Sequence, residues 1–222
     1  MNYSFRKITV LTGHYGVGKT NLAVNMAMHL RRLGSVSVVD ADIVNPYFRT
    51  ADFKKLFKEN DIKSFCPMYA GTNLDTPVLD FDMENIIASG DYIIIDVGGD
   101  DAGAFALGRY RHIFEKYANN TDMLYVFNRY RREDFSPEEA ACILRDIENA
   151  SGMKCSALVN NSNLGAETDF DTVRSSLAFG RELEKLTGLD TAFTAVPEGS
   201  PCDRDFFEVK RMVCMPWERS DI

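Results

Sequence analysis

Residues 13–20, Gly-His-Tyr-Gly-Val-Gly-Lys-Thr, fit the pattern G-x-x-x-x-G-K-[ST], and no other stretch narrows the possible folds of the chain as much. Glycines at this spacing let the backbone curl so that successive N–H groups point inward, a concavity suited to an anion. The pattern has meaning only where a strand delivers the loop and a helix begins beneath it, because the helix N-terminus adds positive potential. Both flanks fit. Ile8–Leu11 is a short apolar run of strand type. From Thr20 to Leu33 the apolar residues Leu22, Ala23, Met26, Ala27, Leu30 and Leu33 recur at three- and four-residue spacing, with Gly34 as the stop. In such a loop the Lys19 ammonium reaches the β- and γ-phosphates and the Thr20 hydroxyl ligates magnesium. The expected ligand is a nucleoside triphosphate with Mg2+, contacted by Gly13, His14, Tyr15, Gly16, Val17, Gly18, Lys19, Thr20 and Asn21.

Further strand-like runs follow at Val36–Val39, Tyr92–Ile95, Met123–Phe127, Ala157–Val159 and Ala192–Val196, with Ile62–Phe65 as a seventh candidate. They are apolar on both faces, as strands covered by helices on each side must be. Helical segments separate them. Ser136-Pro137-Glu138-Glu139 is a capping box with proline at the first turn, continued by Ala140, Ile143, Leu144 and Ile147. Asp171–Leu186 closes at Gly188. Strand–helix alternation implies right-handed crossovers and a mainly parallel sheet of about seven strands. With no repeat, low-complexity tract or linker in 222 residues, one α/β domain is expected.

Two acidic strand ends join the loop. Asp40 and Asp42 stand at i and i+2, on one face of an extended chain, and Asp96 ends the Tyr92 strand before Gly98 and Gly99. Ligands of open α/β sheets collect at the carboxyl ends of strands. Asp96 and Asp40 are therefore expected in the magnesium shell with Thr20, and Asp42 is expected to orient or deprotonate an attacking water. The two glycines allow the backbone to approach the γ-phosphate.

At this point the chain resembles the MinD/ParA-like (CobQ/CobB/MinD/ParA) branch of P-loop ATPases, whose Walker-A loop is deviant. The resemblance covers nearly the whole length. It rests on G-H-Y-G-V-G-K-T, V-D-A-D-I-V-N-P from Val39, I-I-I-D-V-G-G from Ile93, A-L-V-N-N-S from Ala157 and A-V-P-E from Ala195. It implies a three-layer P-loop NTPase fold, slow magnesium-dependent hydrolysis and an ATP-dependent sandwich homodimer. It also implies that Asn161, or alternatively Asn160, reads adenine beside Val196 and Pro197. One position departs from the family pattern. His14 stands where a signature lysine crosses to the partner's phosphates, and Tyr15 replaces a glycine. A histidine does not carry lysine's permanent charge, and Arg49, Arg109 or Arg111 are candidates to replace it. The nitrogenase iron-protein relatives hold a cluster through switch-region cysteines. No cysteine lies between Asp96 and Asn128 here, so no such cluster is expected.

Composition bounds the partners. Lysine and arginine number 25 against 33 acidic residues, a net charge of −8, which disfavours direct nucleic-acid binding. Five scattered cysteines without a Cys-x-x-Cys read as reduced thiols of a cytoplasmic protein. No signal peptide is evident, and no apolar run approaches the length that spans a bilayer. Arg129–Arg132 form a local basic patch, balanced by Glu133 and Asp134, that could meet a partner or a phosphate. Residues 71–77 are either part of a client pocket or a turn leading to a helix near Met83–Ala88. The apolar tail residues Phe206, Phe207, Val209, Met212, Val213, Met215 and Trp217 are mixed with acids and lack a cationic face. They are expected to dock on the protein's own core, not to anchor it to membranes. The expected function is a nucleotide-driven switch on a protein client. Two alternatives stand beside it: an ATP-dependent ligase of the dethiobiotin-synthetase or cobyrinic-acid amidase type, and a non-catalytic nucleotide-binding module.

Overall fold

The apolar runs form strands, and most of these continue into the polar residues at the sheet's carboxyl edge, where ladder hydrogen bonds persist after the apolar pattern stops. A computed structural model describes residues 3–42, 53–66, 81–99, 101–201 and 204–213. The strands are β1 (Ile8–Thr12), β2 (Val36–Ala41), β3 (Lys63–Phe65), β4 (Tyr92–Val97), β5 (Thr121–Phe127), β6 (Ala157–Asn160), β7 (Thr191–Pro197) and β8 (Phe206–Val209). Their order is β3-β2-β4-β1-β5-β6-β7-β8, and every pairing is parallel. Strand β1 lies between β4 and β5, where the chain changes from building one side of the sheet to building the other. In such sheets the crevice for a ligand opens at that switch, outside the carboxyl ends of the strands.

Two helical layers cover the sheet. On one face α1 (Lys19–Leu30) and α2 (Lys54–Glu59) pack Leu22, Met26 and Phe57 against Leu11, Val38 and Ile94. The other face carries α3 (Met83–Ala88), α4 (Asp101–Gly108), α5 (Arg111–Lys116), α6 (Pro137–Ser151) and α7 (Phe170–Thr187). There Leu144, Ile147 and Leu183 meet Val10, Ile95 and Tyr125. The serine half of the capping box forms at α6, with Ser136 Oγ accepting from the Glu139 N–H at 3.2 Å, while the Glu139 carboxylate pairs with Arg132.

Two differences from expectation have local causes. Helix α1 ends at Leu30, not Leu33, because the chain tightens into a turn in which Leu33 N–H bonds to Leu30 at 2.8 Å. That swings Leu33 off the apolar stripe, leaving it 65% exposed. The sheet also has an eighth strand. Phe206–Val209 pairs in parallel with β7, and Phe207 is buried against the rings of Phe193 and His29. An edge strand this short buries too few residues for its alternation to stand out among the charged residues around it. Arg49, the 71–77 segment, Met215 and Trp217 lie outside the described residues.

Candidate functional site

The loop between β1 and α1 needs left-handed backbone at three places, with φ of 139° at Gly13, 76° at Gly16 and 88° at Gly18. Gly18 is also the N-cap of α1 and contributes no capping side chain. The helix therefore opens onto the loop with its dipole unmasked by a capping group. Lys19 folds back over the loop, its Nζ donating to Gly13 O at 2.9 Å and His14 O at 3.1 Å, and it is 6% exposed. Val17 is buried, and its carbonyl accepts from Asn161 Nδ2 at 2.7 Å.

The acidic strand ends converge beneath this loop. Asp40 and Asp96 are register partners on β2 and β4. Both fall in the alternation of Val38 and Ile94, which face α1, and each is 1% exposed. Thr20, in the first turn of α1, donates from Oγ1 to Asp96 Oδ2 at 2.8 Å. Asp42 follows, its N–H bonded to Asp40 Oδ1 at 3.2 Å, with its side chain on the cavity. Like-charged carboxylates buried together call for a cation, and a hydroxyl beside carboxylate oxygens is the donor chemistry of a hard divalent ion. Among the described residues no group of three or more His, Cys, Asp or Glu forms a complete metal cage.

A cavity of about 630 Å³ runs from the loop toward the ends of β6, β7 and β8. Tyr15, Gly16, Gly18, Lys19, Thr20 and Asn21 line one end, and Asn161, Val196 and Pro197 the other. Asn161 thus lies on the cavity. Its carboxamide oxygen accepts no hydrogen bond among the described residues. Asn160 is elsewhere: its amide donates to Ser176 and accepts from Ser162 N–H, which shapes the turn after β6. Gly99, after β4, packs directly on the loop, since a Cβ there would lie 2.4 Å from Tyr15 N.

Three sets of contacts escaped the sequence, although it points to Asn21 and to the Arg129–Arg132 patch. Asn21 does more than line the cavity, because its Oδ1 accepts from the N–H groups of Met212 and Val213 at 2.8 and 3.2 Å. One turn on, Asn25 both donates to Lys210 O and accepts from Lys210 N–H, at 2.9 and 2.8 Å. These amides hold the segment after β8 as a wall of the cavity. An i, i+4 pair of asparagines on an otherwise apolar helix face was the available signal. The third set belongs to Arg131. Its Nε donates to Tyr15 O at 2.7 Å and its guanidinium carbon lies 5.8 Å from the Tyr15 ring centre. Arg109 and Arg111 do not line the cavity; Arg111 pairs with Glu115 at 2.7 Å. Cys155 is buried, which pushes its thiol above the usual range and leaves it a poor nucleophile.

No family model matches the chain, and no curated protein matches it. Solved structures do. FtsY from Mycoplasma mycoides superposes with a TM-score of 0.60 at 17% identity, over 88% of this chain and 62% of that one. The 54 kDa signal recognition particle protein from Aeropyrum pernix K1, in complex with GDP, gives 0.55 at 17%, over 88% and 42%. FlhF complexed with GTP and Mg2+ gives 0.54 at 12%, over 91% and 70%. The chain thus spans less than two thirds of the FtsY and signal recognition particle chains. The likeness shows the α/β fold of P-loop NTPases, with its eight-stranded parallel sheet between helices. Among the described residues no helix is long and apolar enough to cross a membrane.

Proposed function

We propose that the chain is a magnesium-dependent ATP-binding switch of the MinD/ParA-like branch, one nucleotide-binding domain with slow hydrolysis, acting in the cytoplasm on a protein client. The observation that carries this is the Thr20–Asp96 hydrogen bond of 2.8 Å beneath a glycine loop that Lys19 closes. It supports a single site for phosphate and divalent cation. The loop's N–H groups and the α1 dipole bind the β-phosphate, and Lys19 exchanges its carbonyl partners for β- and γ-phosphate oxygens. Thr20 and Asp96 hold the cation, with Asp40 bonding to its water shell. Magnesium, when bound, neutralises charge on the phosphate oxygens. Asp42, at the cavity's edge, orients the attacking water and takes its proton. Asn161 and the Val196–Pro197 segment receive the base.

The contact of Gly99 with Tyr15 supports the switch. The backbone after Asp96 touches the loop that would carry the γ-phosphate, so occupancy there biases where that segment rests. A nucleotide-dependent homodimer and the absence of direct nucleic-acid contact belong to the same proposal. A second reading concerns the base. The signal recognition particle protein and FlhF structures are complexes with GDP and GTP, so guanine nucleotides are the alternative.

Titration of the parent and of Lys19→Ala with Mg-ATP and Mg-GTP tests the site. The parent binds one of them and the variant does not; equal binding by both would falsify the proposal. Phosphate release with and without a client or a small carboxylate, alongside light scattering in ATP and ADP, separates three activities. Slow release with ATP-specific dimerisation supports the switch. Release only on adding the carboxylate supports a ligase, and binding without release supports a non-catalytic module.

A further inference from the structure

We infer that Arg131 is a phosphate-binding cation of this site, supplied by the same chain from the turn after β5; the inference rests on the nucleotide site proposed above. Of the basic residues at 129–132, it is the one placed on the phosphate loop. Its guanidinium lies against Gly16, where a Cβ would meet Nε at 2.7 Å, Cζ at 3.0 Å and Nη2 at 3.2 Å. It lines the same cavity as Lys19 and Thr20. Its neighbour Arg132 is already neutralised, by Glu139 and Asp134. Arg131 makes no ion pair among the described residues.

The turn that delivers it is fixed from several directions. Asn128 accepts from Tyr130 N–H at 2.9 Å and exchanges two hydrogen bonds with the Asn163 backbone, at 3.1 Å each. Arg129 N–H donates to Ser162 Oγ at 3.0 Å, and Tyr130 OH donates to Thr172 O at 2.8 Å. A side chain launched from so constrained a turn has lost much of its freedom before any ligand arrives, which favours binding.

The chemistry then points to phosphate. Arginine carries five N–H donors and a permanent charge. Nε is committed to Tyr15 O, and the two Nη groups remain beside the loop. A half-buried cation set among neutral backbone groups at the mouth of an anion cradle is matched by phosphate oxygens, which the guanidinium fork engages bidentately. Arg131 therefore adds to Lys19 a second cation that does not depend on a partner subunit. His14, at the position where the family pattern places lysine, need not carry charge for the polyphosphate to be held.

The test uses the full chain. In Arg131→Gln the amide nitrogen takes the place of Nε, so the bond to Tyr15 O can persist while the charge and fork are lost. Calorimetric titration with Mg-ATP and Mg-GTP should show the affinity for the bound nucleotide falling by about 10-fold or more, as expected for a charge-assisted pair. The salt dependence of binding should become shallower, and the melting temperature without nucleotide should not change. Arg131→Lys keeps the charge but not the fork and should fall between parent and Gln. Arg132→Gln, with the same loss of charge, should bind as the parent does. Equal affinities for the parent, Arg131→Lys and Arg131→Gln, with binding lost in Lys19→Ala, overturn the inference and leave the nucleotide site standing. A parent that binds neither nucleotide overturns both.

Discussion

Replacing Gly99 with alanine strikes the contact between the segment after β4 and the phosphate loop. The added Cβ would lie 2.4 Å from Tyr15 N, 2.5 Å from Tyr15 Cα and 2.8 Å from His14 C, where ordinary contacts begin at 3.4 Å. All three are backbone atoms, so no side chain can rotate away. The two segments must separate by 3.4 − 2.4 = 1.0 Å. Overpacking of this kind costs about 1–3 kcal/mol, and each kcal/mol lowers the melting temperature of a chain this size by about 2–4 °C. The larger effect falls on the site. Asp96 is anchored in β4 and Thr20 in α1, so a 1.0 Å separation of their loops strains a hydrogen bond now 2.8 Å long. A misplacement of about 1 Å among catalytic groups can slow a reaction by about 100-fold. Gly188→Ala is the control. Gly188 caps α7 at a φ of 73° with nothing within 4 Å of its virtual Cβ, so alanine there costs about 1–2 kcal/mol of backbone strain alone. Thermal melts, Mg-nucleotide titrations and phosphate release would be measured on both. Gly188→Ala should lose stability and keep nucleotide affinity, while Gly99→Ala loses both affinity and turnover. Parent-like affinity and turnover in Gly99→Ala would refute the coupling between these two loops.

Asn25→Ala removes both hydrogen bonds to the Lys210 backbone and should cost about 1–3 kcal/mol, since it leaves a backbone N–H and C=O without their partner. Amide exchange at residues 210–213 should accelerate; unchanged protection would show that Asn25 does not hold the segment. Asp169 caps α7, and hydrogen bonds from the Thr172 hydroxyl and N–H hold its carboxyl below the usual range. Its folded-state pKa is depressed, so the folded chain binds fewer protons than the unfolded one as acid is added. The contribution is present in full above the unfolded value of about 3.9 and is lost as pH falls through the folded value. Asp169→Asn keeps a capping oxygen but cannot titrate. Its urea midpoint should therefore decline less than the parent's between neutral pH and acid, and identical acid limbs would count against the assignment.

Local chemistry was legible from the residues, and long-range pairing was not. Gly13–Thr20 announced both a loop and the elements on either side, because each residue type there serves one conformational or chemical need. Asp40 and Asp96 were legible as acidic strand ends on the phosphate-facing edge of the sheet. Arg131 was visible only as one arginine in a patch, since its distinction is the Tyr15 carbonyl 116 residues away. The same holds for Asn21 and Asn25, whose partners are 185–192 residues distant. Phe207 shows a second limit: one buried residue in a four-residue edge strand leaves almost no periodic trace.

The clamp from α1 to residues 210–213 has a consequence for biosynthesis. During translation the phosphate loop and α1 leave the ribosome before β5, β6, β7 and β8, which then add to the sheet in the order in which they are made. The Asn21–Met212 hydrogen bond, closing a separation of 191 residues, cannot form until that succession ends. A nascent chain that already displays the glycine loop therefore still lacks one side of the cavity, lined by Val209, Lys210, Arg211 and Val213. Ligand affinity is then acquired as the segment after β8 seats against α1, and not gradually as the sheet grows.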